Sequence, residues 1–187
     1  MMPITELVQY IKEVILTTVK FWAKVKSPEV GKNLFFQYYL PLSFIASLAV
    51  FLGAWFGSTN FYLRFAIIKA LCELVVFVLQ YYVSVFLVNE LITNFGGEKN
   101  KLASQKLVIF SLTPFLLVSV LTGLFPVLYV VDVLGLYSIF IFWAGVKELL
   151  NLPYKNESGY VLVTGLLNVF VFAFLSILLW KIFISFV

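Results

Sequence analysis

The chain contains no histidine and a single cysteine, Cys72. Without histidine it lacks the commonest general base and metal ligand of proteins, and every catalytic triad that relies on histidine is excluded. One thiol cannot close an internal disulfide and offers no metal-ligand spacing. The sequence also has no glycine-rich phosphate loop and no paired catalytic carboxylates. We therefore expect a protein that is not an enzyme, without catalytic residues, cofactor or metal.

Charged residues are scarce as well. They make up 12% of the 187 residues, whereas 63% are hydrophobic. A soluble globular domain is typically about one quarter charged, so this chain cannot cover itself with polar side chains. The net charge of +4 comes from lysines at segment ends rather than in one patch. This distribution argues against nucleic acid and favours membrane lipids as partners, with protein partners or a second copy of the chain as further options.

Five apolar segments are long enough to cross a bilayer, which takes about 20 apolar residues in a helix. They cover residues 35–56, 65–92, 103–123, 126–147 and 160–186. The connection from Gly123 to Pro126 is so short that the third and fourth spans should form a tight antiparallel hairpin. Polar turns at 93–101 and 151–159 should lie outside the bilayer. The predicted fold class is all-α, a polytopic integral membrane protein.

Apolar and charged residues alternate at helical spacing over residues 5–26, which predicts one amphipathic helix. Two placements remain open for it: the inner headgroup region, or a position packed against the membrane bundle. The segment Ser27-Pro28-Glu29 has the pattern of a second helix start, an N-cap followed by proline at the first helical position. We therefore divide the chain into a cytoplasmic amino-terminal helix, residues 1–26, and a five-helix transmembrane domain, residues 27–187.

Lysine placement predicts the orientation of the spans. With five spans, the amino-terminal segment and the second and fourth loops share one side, which holds Lys12, Lys20, Lys24, Lys26, Lys32, Lys99, Lys101, Lys106, Lys147 and Lys155. The other side has only Arg64 and Lys181. Positive residues accumulate on the cytoplasmic side, so the amino terminus should be cytoplasmic and the carboxyl terminus outside. Trp22 and Trp143 should then lie at the inner interface, and Trp55 and Trp180 at the outer one.

The second span carries a polar stripe. Lys69, Glu73, Gln80 and Ser84 fall within about 60° of one another around a helix. Charges that face lipid are costly, so the stripe should face protein or water. Asp132 on the fourth span lies at a similar depth, with Tyr129 one turn above it. We consider an intramembrane polar cluster in which Lys69 bridges Glu73 and Asp132.

A simpler reading of the same stripe has Lys69 extending its ammonium to the headgroups, with Glu73 paired only locally. A second polar group at the inner interface consists of Asn89, Glu90 and Lys106. Two roles are open for it: capping at the interface, or a site for a cytoplasmic partner. Asn168, near the middle of the fifth span, should form an interhelical hydrogen bond. Pro41 and Pro114 should each kink a span.

The order of short motifs resembles the Yip (Ypt-interacting protein) domain family of five-span membrane proteins. The motif residues are Phe110-Ser111-Leu112 with Pro114, and later Gly135-Leu136-Tyr137. The family's eukaryotic members are implicated in binding Rab-type GTPases and in traffic between endoplasmic reticulum and Golgi. This chain has Ile109-Phe110 where those members carry Gly-Tyr, and only a short basic helix in front. The resemblance therefore implies a bacterial member in the cytoplasmic (inner) membrane. A eukaryotic member would lie in the endoplasmic reticulum or Golgi membrane.

The resemblance implies a non-enzymatic protein that acts through lipid and protein contacts in membrane organisation or trafficking-like roles. The polar stripe favours an alternative, a small transporter or lipid-translocating component whose path is lined by Lys69, Glu73, Gln80 and Asp132.

Overall fold

A computed structural model describes residues 3–27, 33–56 and 62–185, and these residues form helices and turns without a strand. The helix start predicted at Ser27-Pro28-Glu29 falls mostly outside them. The elements are α1 (Ile4–Leu16), α2 (Thr18–Val25), a π-helical turn (Phe35–Tyr39) leading into α3 (Leu40–Phe56), α4 (Leu63–Asn94), α5 (Lys101–Ser111), α6 (Thr113–Leu124), a 3-10 helix (Pro126–Leu136), α7 (Tyr137–Leu149) and α8 (Tyr154–Ile184).

The five predicted spans are confirmed. Within the described residues, five helical segments are long and apolar enough to cross a membrane: Phe35–Phe56, Leu63–Asn94, Lys101–Leu124, Pro126–Leu149 and Tyr154–Phe183. Phe125 alone separates the third span from the fourth, which gives the short hairpin connection that the sequence predicts. The all-α, five-span architecture therefore follows directly from the hydrophobic pattern.

The first three spans form the centre of the bundle, and the last two lie at its periphery. α3 packs between α4 and α6, α8 packs on α4, and α7 packs on α5 and α2. The most apolar windows of the first three spans are 44%, 44% and 50% buried, against 17% and 11% for the fourth and fifth. The outer faces of the fourth and fifth spans are thus left for lipid or a partner.

Both predicted proline kinks are present. Pro41 has no N–H to donate to the carbonyl of Gln37, and the chain before it widens into the π-helical turn. Pro114 lies in the first turn of α6, and the third span is broken at Leu112 into α5 and α6. Beside this break, the Thr113 hydroxyl donates to the carbonyl of Ile109 at 3.4 Å. The third span is therefore two helices rather than one.

The fourth span begins as a 3-10 helix instead of the expected α-helix. Its sequence is rich in β-branched valine, which crowds the preceding turn of an α-helix, and the backbone departs from helical geometry at Leu128. Long 3-10 segments are uncommon. With a rise of about 2.0 Å per residue, Asp132 lies about 12 Å from Pro126, deeper than an α-helix would place it.

The predicted single helix over 5–26 is wrong, because the chain turns sharply at Thr17 between α1 and α2. The Lys24 ammonium donates to the Glu13 carboxylate at 2.8 Å, although eleven residues of straight helix would hold them about 16 Å apart. The Thr17 and Thr18 hydroxyls donate to the carbonyls of Glu13 and Val14, which accounts for the bend. The amino-terminal segment is therefore a folded pair of helices.

This helical pair packs against the membrane bundle, the second of the two predicted placements. Trp22 is fully buried, and its indole N–H donates to the carbonyl of Ile141 at 3.0 Å. The Lys106 ammonium donates to the carbonyls of Val25 and Ser27, both at 2.8 Å. Trp22 therefore packs inside the protein, and its predicted depth at the inner interface stays a prediction. The opposite face of the pair, where Leu16 is 76% exposed, is left for the membrane surface.

Candidate functional site

A cavity of about 240 Å³ lies near the centre of the bundle, between the second, third, fourth and fifth spans. Gln80 lies about 26 Å from the start of α4 and 21 Å from its end. Asn168, which also lines the cavity, is equally close to the middle of α8. α4 and α8 are the longest helices in the described chain, and the space lies near the middle of both. We therefore call this space the midplane cavity. Its walls are mostly apolar and include Leu112, Phe115, Phe142 and Phe172.

The buried amide of Gln80 links the second span to the fifth. Its Nε2 donates to Ser84 Oγ at 3.0 Å, and to the Asn168 backbone carbonyl and Oδ1 at 3.2 and 3.4 Å. Asn168 Nδ2 in turn donates to the carbonyl of Thr164 at 2.8 Å. This confirms the interhelical role predicted for Asn168. Since its acceptors surround Nε2, the Gln80 amide is fixed in this orientation, with Oε1 directed away from them.

Three residues that line the cavity each carry a polar atom with no hydrogen-bond partner in the described part of the chain. The atoms are Gln80 Oε1, Ser111 Oγ and Ser138 Oγ, and all three are buried. A buried polar group left without a partner costs about 1–3 kcal/mol. Native structures complete such groups with ordered water or a ligand, so this trio makes the cavity the candidate site.

The trio exists because two spans are interrupted at the same depth. Ser111 and Leu112 stand at the break between α5 and α6. Gly135 and Leu136 end the 3-10 helix, and Ser138 lies in the first turn of α7. Irregular backbone at membrane depth is tolerated where it lines a cavity, and broken helices form the midplane binding sites of many transporters. The two breaks here meet at the midplane cavity.

The motif residues that carry the sequence resemblance collect around this cavity. Leu112 and Gly135 line it, and Pro114 and Tyr137 begin the helices that adjoin it. A Cβ atom on Gly135 would lie 3.1 Å from a ring carbon of Phe115, so glycine permits the close approach of the two broken spans. The Tyr137 hydroxyl donates to the carbonyl of Ile15 at 3.1 Å, which ties the site to α1.

The midplane cavity continues into a groove between α7 and α8, with a volume of about 410 Å³. Ile139, Gly165 and Val169 line both spaces. Apart from its two chain neighbours and the backbone of α8 itself, no atom lies within 4 Å of the position that a Cβ on Gly165 would occupy, so there is open space beside this residue. We call this space the α7–α8 groove.

The groove runs toward Trp143 and Ser158. This is the lysine-rich end of the bundle, which carries Lys24, Lys99 and Lys147. The Lys147 ammonium lies 4.5 Å from the centre of the Trp143 ring. The groove therefore joins the lysine-rich end of the bundle to its middle.

The structure brings only part of the predicted polar cluster to the cavity. Gln80 and Asp132 line it, whereas Lys69, Glu73 and Tyr129 do not. Among the described residues, none of Lys69, Glu73 and Asp132 is in an ion pair within 4.0 Å, so the bridge expected from Lys69 is not formed. The 3-10 geometry of the fourth span leaves Asp132 exposed and Tyr129 70% exposed. Lys69 and Asp132 still lie close enough to Glu73 to act on its charge.

The predicted inner-interface group is divided in the structure. Glu90 pairs with Lys99, and Asn89 Oδ1 accepts from Ser104 Oγ at 3.5 Å. Lys106 is buried and turned instead toward the carbonyls at the end of α2. Lys106 was expected beside Glu90 because both lie near the ends of neighbouring spans, but the docked amino-terminal pair supplies it with other partners.

Sequence reasoning did not select Ser138 or Gly165, and it named Ser111 only as a motif residue. A serine in an apolar helix ordinarily donates to a carbonyl of the preceding turn, so its type alone indicates no site. The two serine hydroxyls and the Gln80 amide oxygen are seen to lack hydrogen-bond partners only when the four helices around them are in place. The signal available in the sequence was the placement of Gln80 and Asn168 at the centres of two spans.

Comparison with protein families agrees with the motif pattern. The family model described as the Yip1 domain matches residues 12–177. The chain belongs to the Yip1 domain family. The match begins within α1, so it includes α2 together with the bulk of the five spans. No curated protein and no solved structure matches the chain.

Proposed function

We propose that this Yip-family membrane protein is not an enzyme and that it binds a membrane lipid in the midplane cavity and the α7–α8 groove. The observation that carries the proposal is the mostly apolar cavity near the middle of the spans, which shares lining residues with the α7–α8 groove. Through the bound lipid and through protein contacts, the protein would act in membrane organisation.

The form of the site favours a lipid over water alone. Water could complete the three polar atoms, but it gains little from walls made of leucine and phenylalanine side chains. Pockets that enclose a whole small molecule measure about 300–1,000 Å³. A cavity of about 240 Å³ that opens into a groove of about 410 Å³ instead suits a molecule whose polar group and chain occupy separate spaces.

Gly165 provides the test, because a Cβ atom there meets open space and a larger side chain would extend into it. Native mass spectrometry after gentle purification should find lipid retained by the wild-type protein and by the matched control Gly165→Ala. The variant Gly165→Leu should retain at least fivefold less. Equal lipid retention by all three proteins, with unchanged thermal stability, would reject binding at this site.

Asp132 favours a second candidate, translocation of a lipid or solute. It is exposed and lines the cavity on the side away from the lysine-rich end. The cavity and the groove together therefore extend along a large part of the distance that a translocation path would cross. A translocator would require its acidic groups. The double variant Glu73→Gln, Asp132→Asn should then show no flux of lipid or solute in reconstituted vesicles. Unchanged flux would leave lipid binding without transport.

We also propose a cytoplasmic membrane location with the amino terminus in the cytoplasm, which the lysine distribution supports. The lysines of α1 and α2 provide a candidate surface for protein partners. Neutralising Lys20, Lys24 and Lys26 together should then release partners captured in mild detergent. If the partners stay bound, they dock elsewhere.

A further inference from the structure

We propose that the amino-terminal pair, α1 and α2, is inserted into the lipid leaflet at the lysine-rich end of the bundle and binds anionic phospholipids there. Its exposed apolar residues contact the acyl chains, and Lys12 and Lys20 pair with the headgroups. This surface lies apart from the midplane cavity, and its contact with lipid does not depend on what occupies that cavity. Three features of the pair support insertion: the faces of α1, the depth of the pair and the positions of its lysines.

Helix α1 has three faces, whereas a surface helix of a soluble protein has one apolar face and one polar face. A face packed on the core and a polar face come from two sets of three residues: Leu7, Tyr10 and Val14, and Glu6, Gln9 and Glu13. The third face carries Ile4, Val8 and Leu16, which are 81%, 42% and 76% exposed. At about 100° per residue the three sets occupy separate parts of the helix circumference. An apolar face that no protein covers is expected where the solvent on that side is lipid.

Hydrogen bonds to α7 give the depth of the pair. Trp22 donates to the carbonyl of Ile141, about 12 Å along α7 from its end at Leu149. Ile15, beside the turn of the pair, accepts from Tyr137, about 18 Å from the same end. The whole fourth span is about 40 Å long, close to the thickness of a bilayer with its headgroups, about 40–45 Å. Because this span therefore ends near the bilayer surface, the turn of the pair lies well inside one leaflet.

The fourth span faces lipid at the level of this turn. Leu136 and Phe140, close to Tyr137 in sequence, are 57% and 45% exposed and belong to a membrane-spanning segment. On the pair, Leu16 and Val19 stand on either side of the turn and are 76% and 60% exposed. The exposed apolar residues of the turn therefore lie at the same level as lipid-facing residues of the span.

Two lysines stand beside these exposed apolar residues. Lys12 comes four residues after Val8 and four before Leu16, on one line along α1, and Lys20 follows Val19 on α2. Both lysines are exposed, and neither is in an ion pair with another described residue. A lysine can lay its methylene chain along apolar surface and extend its ammonium to the headgroups. Because a leaflet with anionic lipids attracts such lysines, the arrangement favours lipids with a net negative charge.

Fluorescence quenching tests the insertion on the full-length protein in lipid nanodiscs. In a Cys72→Ala background, Leu16→Cys and Glu6→Cys are each labelled with a thiol-reactive fluorophore, and Glu6 serves as the control on the polar face of the same helix. Both residues are exposed, so neither change removes a packed side chain. We expect lipids brominated on their acyl chains to quench the label at position 16 at least threefold more than the label at position 6. Aqueous iodide should show the reverse order.

Bromine on one lipid of an equal mixture identifies the lipid class beside the pair. Brominated phosphatidylglycerol, which is anionic, should quench the label at position 16 at least twofold more than brominated phosphatidylcholine in the same mixture. The double variant Lys12→Gln, Lys20→Gln should abolish this preference. The control variant Lys155→Gln, an exposed lysine at the same end of the bundle on α8, should keep it.

The outcomes decide separately on insertion and on lipid class. If iodide quenches the label at position 16 as strongly as the label at position 6, this face lies in water and insertion is overturned. If neither brominated lipid nor iodide quenches the label at position 16, protein covers the face and insertion is overturned as well. Disulfide cross-linking of Leu16→Cys would then identify a second copy of the chain as the cover. If insertion holds but the two brominated lipids quench equally, the preference for anionic phospholipids is overturned.

Discussion

A Cβ atom on Gly53 would lie 1.9 Å from the carbonyl oxygen of Gly123, so α3 and α6 meet backbone to backbone at this point. On the other side of the contact, a Cβ on Gly123 would lie 3.0 Å from a methyl carbon of Val50. Small residues at such crossings allow close van der Waals packing, a main source of helix association within lipid. This contact holds the first span against the third, near the end of the bundle opposite the lysines.

Replacing Gly53 with alanine should destabilise the protein, because the added methyl group forces two helix backbones apart. Overpacking of this kind typically costs about 1–3 kcal/mol. Thermal unfolding in detergent should show a clear fall in the transition temperature. The matched control is Gly165→Ala, which adds the same methyl group where no atom lies within 4 Å other than those of its two chain neighbours and the backbone of its own helix. Equal transition temperatures for the two variants would contradict the close contact.

Lys106→Met should loosen the amino-terminal pair while leaving the five spans in place. Methionine keeps a long apolar side chain but cannot donate to the carbonyls of Val25 and Ser27. Hydrogen bonds to charged groups contribute about 1.5–3 kcal/mol, so α2 should exchange its amide hydrogens much faster. Hydrogen exchange read by mass spectrometry over residues 18–27 measures this change. The exposed Lys101→Met on the same helix should leave exchange unaltered, and an identical effect there would refute the anchor.

Acid should weaken the contact between the two arms of the amino-terminal pair. The hydrogen bond from Lys24, with a second from Gln9, lowers the pKa of the Glu13 carboxyl. A lowered pKa gives stability that is present above the unfolded value of about 4.3 and is lost as pH falls through the folded value. Because Lys24 is half exposed, the pair should contribute only about 0.5 kcal/mol, and less in high salt.

The same bond raises the pKa of Lys24, so its contribution is complete below about pH 10.4 and is lost above that. Stability measured between pH 7 and 3 should fall slightly more in the wild-type protein than in Glu13→Gln, which has no carboxyl to protonate. Parallel curves for the two proteins would show that the pair contributes nothing.

Single cysteines introduced into a Cys72→Ala background should report the orientation. Lys99→Cys lies in the exposed loop after α4 at the lysine-rich end, and Phe125→Cys lies in the turn at the opposite end. We expect a membrane-impermeant maleimide to label position 125 in intact cells, and position 99 only after the membrane is opened. The reverse pattern would place the amino terminus outside.

The sequence predicted the five spans closely because hydrocarbon requires a continuous apolar helix, and length and hydropathy record that requirement directly. Pro41 and Pro114 predicted the interruptions of the first and third spans for a similar reason. Proline has no N–H, so it always removes one backbone hydrogen bond from the helix. Two of the residues that carry the family resemblance, Leu112 and Gly135, line the cavity. The sequence analysis did not predict a site at these residues.

What the sequence could not supply was the relation between distant helices. The turn at Thr17 depends on hydroxyl bonds to the preceding turn together with docking of Trp22 against the fourth span. The bridge expected from Lys69 assumed an α-helical fourth span, and 3-10 geometry changed where Asp132 lies. Whether the hydroxyls of Ser111 and Ser138 have hydrogen-bond partners depends on the neighbouring helices. The residue type alone therefore does not show that they lack one.

The hydrogen bond from Trp22 to the carbonyl of Ile141 joins residues 119 positions apart. During synthesis, the amino-terminal pair leaves the ribosome long before the fourth span exists. Its apolar face must therefore wait at the bilayer surface until the fourth span has been translated. A chain cut short before α7 would leave the Trp22 indole without its acceptor, the carbonyl of Ile141.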